Sequence, residues 1–205
     1  MAKVVFLESL QKHIDRGQPA KNFSNDPDHE ESLRDLHLLT MKPVLYIANI
    51  DEEGLHGNKH LNEVREITQT ESAELVVICN KLEAEISELD NQERAEFLSE
   101  LGIEEPGLNR VIRAGYNLLG LQTYFTAGPK EARAWTIKTG LTAPQAAGVI
   151  HSDFEKGFIK AEVIGFDDYI KYHGESGSKS AGRLRLEGKE YIVQDGDVVH
   201  FRFNV

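Results

Sequence analysis

Residues 42–54, KPVLYIANIDEEG, run an apolar stretch straight into Asn49-Ile50-Asp51-Glu52. In nucleotide-binding α/β domains ligands sit at the carboxyl ends of parallel strands, so a polar cluster directly after such a stretch is a candidate binding edge. The Asn49 amide offers a donor and an acceptor together, which suits the Watson–Crick or Hoogsteen edge of adenine. A strand-end turn with Asn49 as a helix cap is the competing reading. A second apolar run at 74–80, ELVVICN, leads into Cys79-Asn80-Lys81. Cys79 is the only cysteine, so no internal disulfide can form and a reducing compartment is the expected home. Its place in an apolar strand points to a buried, inert thiol. His56 and His60 have the i, i+4 spacing that binds a metal on a helix. Gly57 and Asn58 oppose a helix there and no third ligand follows, so a solvated loop is expected and no metal site. No G-x-x-x-x-G-K-[ST] loop occurs in the 205 residues, so nothing in them cradles β and γ phosphates or positions a Mg²⁺ ion.

A second chemistry is open to the C-terminal part. Lys130, Arg133, Lys138, Lys156, Lys160, Arg183, Arg185 and Lys189 form one basic face if alternate strand positions point together. Such a patch binds RNA by shape and charge more than by sequence. The competing reading is a solvated surface, because residues 122–205 hold eleven Lys or Arg against eleven Asp or Glu. The formal net charge of −11 therefore belongs wholly to residues 1–121, with 12 basic and 23 acidic groups. An acidic first part facing away from a polyanion is compatible with a neutral second part touching one.

The elements that must position these groups follow from periodicity. Val4, Leu7, Leu10 and Ile14 predict an amphipathic helix stopped by Gly17 and Pro19, and Ser24 or Asp26 can cap a second with an acidic first turn. Residues 44–50 read as a buried parallel strand, 61–70 as a helix and 74–80 as another strand, together one βαβ unit. Helices over LEAEISELDNQERAEFLSELG and PGLNRVIRAGYNLLGL follow, with Pro106 suited to a first turn. From Gln122 the pattern changes to short strands. TYFTAG and ARAWTI predict a hairpin, and Thr142-Ala143-Pro144 opens a helix burying Ala146, Ile150 and Phe154, with His151 inside it in a solvent-facing or capping role. KGFIKAEVI predicts a strand, and EYIVQDGDVVHFRFNV a hairpin about Asp195-Gly196. Two strands, a helix and further strands describe a β-grasp, ubiquitin-like module. An apolar fraction of 40% and a charged fraction of 28% suit a folded, cytoplasmic protein. No apolar run nears the length of a membrane span, and MAKVVFLESL is charged too early for a secretory signal.

KPVLYIANIDEEG, NRVIRAGYNLLGLQTYFTAGPKEARAWTI, APQAAGVIHSDFEKGFI and EGKEYIVQDGDVVHFRFNV together resemble the YchF family of Obg-like, P-loop ATPases. The likeness covers essentially all 205 residues but only about the C-terminal half of a family member. It implies an α/β plus α+β chain. Residues 1–40 are a helical coiled-coil arm remnant, 41–121 the C-terminal part of a G domain, and 122–205 a complete TGS domain of β-grasp fold.

The resemblance also implies roles. Asn49-Ile50-Asp51-Glu52 stands where ordinary GTPases carry Asn-Lys-x-Asp, whose final carboxylate reads guanine. With Ile50 at the Lys position and Glu52 one methylene longer than Asp, guanine selectivity weakens, and the family associates the variant with accepting ATP at least as well as GTP. Cys79-Asn80-Lys81 occupies the second base-holding element, where family members usually carry small residues, a pattern from which Asn80 and Lys81 depart. The implied cofactor is ATP or GTP with Mg²⁺ in the full-length protein. Tight binding or hydrolysis by this chain alone is not expected without the P-loop half. The implied partner is the ribosome or ribosomal RNA, with the missing N-terminal half or another protein as further partners and no membrane. The alternative function is a non-enzymatic, ubiquitin-like protein-interaction module, which would bind without the steep salt dependence of phosphate contacts. Two parallel strands without further neighbours would also leave residues 1 to about 100 less protected than 122–205.

Overall fold

Helical spacing puts Phe6 and Leu10 on one face of α1 (Ala2–Asp15), and burying that face organises the first residues of the chain. The computed structural model describes residues 2–23 and 27–204, which divide into two units, 1–111 and 112–205, parted inside α6 (Gly107–Leu118). In the first unit, Phe6 and Leu10 meet Ala20 and Leu33, the latter from α2 (Pro27–Asp35), with Phe6 edge-on to Phe23. Ala20 N–H donates to Thr40 Oγ1 at 2.9 Å, which ties the connection after α1 to the segment before the first strand. The cap expected at Ser24 or Asp26 lies outside the described residues.

The βαβ unit forms as β1 (Leu45–Asn49), α3 (Lys59–Thr70) and β2 (Glu74–Ile78). β1 and β2 run parallel from Leu45 opposite Glu74 to Asn49 opposite Ile78. Asn58 is extended, as expected of a loop, and starts α3 by accepting Leu61 N–H at 2.7 Å, which puts His60, expected in that loop, in the first turn of the helix. Burial differs from expectation. The described residues pair these strands only with each other, and Ile47 remains 48% exposed although its stretch reads as fully buried.

Residues 82–102 differ too, forming two helices rather than one: α4 (Asn80–Glu88) and α5 (Asn91–Glu100). Asp90 interrupts them. Its carboxylate accepts from Gln92 N–H and Glu93 N–H, while Glu93 accepts from Asp90 N–H, a reciprocal cap that outweighs helix continuity. Glu83 on α4 then caps α6, accepting Gly107 N–H at 2.7 Å and Leu108 N–H at 3.1 Å. Cys79, Leu82, Ile86 and Leu98 form the buried cluster beneath these helices.

In the second unit the end of α6 leads into the antiparallel hairpin β3 (Leu121–Ala127) and β4 (Ala132–Lys138). It continues through α7 (Ala143–Ile150), α8 (Ser152–Lys156), β5 (Phe158–Gly165), α9 (Phe166–Lys171), α10 (Glu175–Ser180), β6 (Arg185–Glu187) and β7 (Asp197–Phe203). The sheet order is β4-β3-β7-β5-β6, with the last long strand at the centre, parallel to β3 and antiparallel to β5. The core-facing positions of α7 are Ala143, Ala146 and Ala147, small enough to bring the helix close to Tyr124, Val163 and Phe201. Tyr124 is fully buried and its hydroxyl donates to Ala146 O at 2.9 Å, so its one polar atom is satisfied. Burial pushes that phenol's pKa up.

Two expectations fail here. The helix predicted to reach Phe154 stops at His151, whose extended backbone ends α7 and whose Nδ1 accepts Asp153 N–H at 3.2 Å to start α8. The residues before Asp195-Gly196 do not form a hairpin with β7. The turn exists, with Gly196 at φ 80° and Asp197 N–H reaching Gln194 O. But Ile192 bridges back to Thr142, Val193 N–H reaches Leu141 O, and both flanks of β7 go to β3 and β5.

Candidate base-binding edge and nucleic-acid interface

Parallel pairing in register is what assembles the first site. Because Asn49 stands opposite Ile78, and Ile50 N–H continues the ladder to Ile78 O at 2.9 Å, both strands finish at one edge. The Asn49 side-chain oxygen Oδ1 accepts Asn80 N–H at 3.0 Å, so Asn49 caps α4, a helix reached through β2. Its amide NH₂ is left without a protein partner among the described residues. Asn49, Ile50, Glu52, Cys79 and Asn80 are thereby brought to one groove of about 660 Å³, lined also by Asp51, Glu53 and Lys81.

Lys81 Nζ lies 2.8 Å from Glu52 Oε1. The hydrogen bond and charge of Glu52 raise the lysine pKa, and both groups are exposed, so the pair adds little stability. Sequence reading marked Lys81 only as a departure from the small residues expected at this strand end. Its signal was only a cation three residues past the second strand, which acquires meaning once Glu52 is known to be opposite. Asp51 turns back on its own loop, accepting Gly54 N–H at 2.8 Å, and Gly54 fits because a Cβ would meet Asp51 Oδ1 at 2.9 Å. Cys79 is buried and packs inward, so it offers the groove mainly backbone. His60 sits 3.4 Å from Glu63, and the side chain of His56 lies outside the described residues. Among the described residues no three metal-binding side chains converge.

The eight basic residues separate into two groups. Lys160 pairs with Glu162, Arg183 with Asp168, and Arg185 with Asp197 and Glu187. Lys130, Arg133, Lys138, Lys156 and Lys189 are exposed and have no ion-pair partner among the described residues. Arg133 instead lies over the Trp135 ring at 4.1 Å. Arg202, not singled out from sequence, bonds Glu162 at 2.9 Å and lowers that carboxyl's pKa. Arg185 belongs to an internal network. Asp197, 3% exposed, also accepts from the Tyr191 hydroxyl at 2.6 Å and from Gln194 N–H at 2.9 Å. Burial first, and the Asp197 bond second, push the Tyr191 pKa up.

A family model described as "YchF-GTPase_C: Protein of unknown function (DUF933)" matches residues 121–204. The chain is 57% identical over 199 residues to "Ribosome-binding ATPase YchF" of Pasteurella multocida (strain Pm70) and 50% identical over 202 residues to the protein so named in Bacillus subtilis (strain 168). Each alignment takes in 97% of this chain and 55% of the relative, so the chain spans about half the length of the curated relatives it matches. The solved structure described as "Structure of the Schizosaccharomyces pombe YchF GTPase" superposes with a TM-score of 0.79 at 32% identity, over 97% of this chain and 53% of that one. On sequence and fold alike, this chain belongs to the YchF family.

Proposed function

We propose that this stretch supplies base recognition and ribosome contact to a YchF-type ATPase of the cytoplasm. On this reading residues 1–40 belong to a coiled-coil arm, 41–121 to a G domain and 122–205 to a TGS domain of β-grasp fold. The observation that carries the reading is the Asn49 NH₂ left unpartnered at the joined ends of two parallel strands, since the cap on α4 uses only the side-chain oxygen, with the Glu52 carboxylate in the same groove. No helix of the described residues is long and apolar enough to cross a membrane.

The residues present fit a nucleotide's base and not its phosphates. The free Asn49 NH₂ can donate to a ring nitrogen of adenine, and Ile50 offers an apolar side chain to the base. A guanine edge would have to compete with Lys81 for Glu52. Bound nucleotide would supply the phosphoanhydride that such an enzyme cleaves, while this chain's residues orient the base. No hydrolytic role is assigned to them.

Ribosome contact is assigned to the unpaired cations of 122–205, since a cation already neutralised by a carboxylate releases fewer counterions from RNA. Replacing Lys130, Lys138, Lys156 and Lys189 together by Glu is expected to reduce the slope of log affinity against log salt by about 3, from four lost phosphate contacts. The readout is ribosomal RNA binding across a salt series. Lys160→Ala and Arg183→Ala, which remove cations already paired, should leave the slope nearly unchanged. An unaltered slope in the fourfold variant would remove RNA contact from these residues.

A further inference from the structure

Among the described residues β3 and β7 pair only at Phe125 opposite Val198. Near this junction a groove of about 510 Å³ opens on the helix-covered face of the sheet. Its walls include Arg133 and Trp135 of β4, Ile150 and Phe154 of the two helices, and Phe201 and Phe203 of β7. Phe154 and Phe203 are stacked with ring centroids 3.8 Å apart, and Trp135 is held in place by its Nε1–H donating to Thr126 Oγ1 at 2.9 Å. Aromatic surface of this kind is ordinarily filled by the protein's own core. Here Trp135, Phe154 and Phe203 stay partly exposed along the groove, above the buried Phe201.

We infer that this groove holds one unstacked base of single-stranded RNA, an assignment that rests on the RNA-contact reading and gives it a location. Arg133 decides between a base and an apolar peptide side chain. Its guanidinium is planar, lies over the Trp135 ring, and has no carboxylate within ion-pair distance among the described residues. An apolar side chain would leave that charge unused. A nucleotide uses both features, with its base against the aromatic rings and its phosphate toward the guanidinium. Lys130 stands in the same hairpin turn as Gly128 and Glu131, which line the groove, and adds a second cation beside the mouth. Glu131 is the only acidic lining residue and can accept from an exocyclic base amine.

Trp135 is the only tryptophan, so its fluorescence reports on this groove directly. Titrating the full chain with a single-stranded oligoadenylate of eight nucleotides should quench it saturably. Phe154→Leu and Arg133→Ala should each weaken binding by about tenfold, the worth of one stacked base, with the circular dichroism spectrum unchanged. If either variant unfolds, Arg133→Lys keeps the charge without the planar face and should still weaken binding. Oligoadenylate bound with Trp135 unquenched would overturn the inference and leave RNA contact standing. So would salt-sensitive pelleting with ribosomes in the absence of any oligoadenylate binding. Binding of neither would remove both readings together. Quenching by a phenylalanine-containing extended peptide and not by RNA would make the groove a protein-docking site and overturn the assignment.

Discussion

Asp197→Ala is expected to destabilise residues 112–205 by about 3 kcal/mol, the scale of a buried carboxylate network losing its acceptor. The carboxylate is 3% exposed and takes donors from three directions: the Tyr191 hydroxyl, Gln194 N–H and the Arg185 guanidinium. Arg185 can turn to water, since its side chain is half exposed, but Tyr191 and Gln194 N–H would have to find water where the carboxylate was. The loss would also release the turn that feeds β7 into the middle of the sheet. Chemical denaturation followed by Trp135 fluorescence reads this unit alone, because the single tryptophan lies in it. Glu187→Ala, which removes only a partner of Arg185 at 3.8 Å, should cost less than about 0.5 kcal/mol. A shift below about 1 kcal/mol for Asp197→Ala would show that the network does not hold the turn.

Gly157→Ala should cost about 2–3 kcal/mol, the usual range for forcing an atom into filled space. Gly157 has φ −89°, so the requirement is room and not backbone conformation. An added Cβ would overlap the carbonyl of Asn204, a backbone group that cannot swing aside like a side chain. The same two residues are joined by Asn204 N–H donating to Gly157 O at 2.9 Å, next to the stacked Phe154 and Phe203. The substitution therefore pushes the end of β7 away from α8 and opens the aromatic groove. Gly188→Ala, where a Cβ meets nothing within 4 Å, should stay within about 0.5 kcal/mol of the parent. Equal midpoints for the two variants in the same denaturation experiment would contradict the packing described for Gly157.

Local chemistry decided what could be read without coordinates. The βαβ unit was legible because apolar runs at 45–49 and 74–78 bracket a helical pattern. The start of α7 was legible because Thr142 and Pro144 announce it. That Asn49, Glu52, Cys79 and Asn80 share one groove followed, since they lie at or just past the ends of those same strands. Misreadings arose where a local signal met a stronger competitor. Asp195-Gly196 does make a turn, but β7 is claimed on one side by β3 and on the other by β5, so the preceding residues must bridge to Leu141 and Thr142 instead. Asp90 broke a helix whose apolar spacing is otherwise continuous. The short α9 and α10, in a stretch rich in Gly and Ser, carry too little periodicity to be seen. The Glu52–Lys81 pair and the groove joining Trp135, Phe154 and Phe203 unite residues distant in sequence, so neither has a local signature.

We propose that residues 122–205 contact ribosomal RNA through unpaired cations while 41–121 read a nucleotide base. Co-sedimentation of the purified chain with ribosomes, at low and at raised salt and without added nucleotide, tests the first half of that proposal most directly. Pelleting at low salt that is lost as salt rises is the expected result, because released counterions drive the association. Pelleting that persists unchanged at raised salt, or no pelleting at either salt, would contradict it.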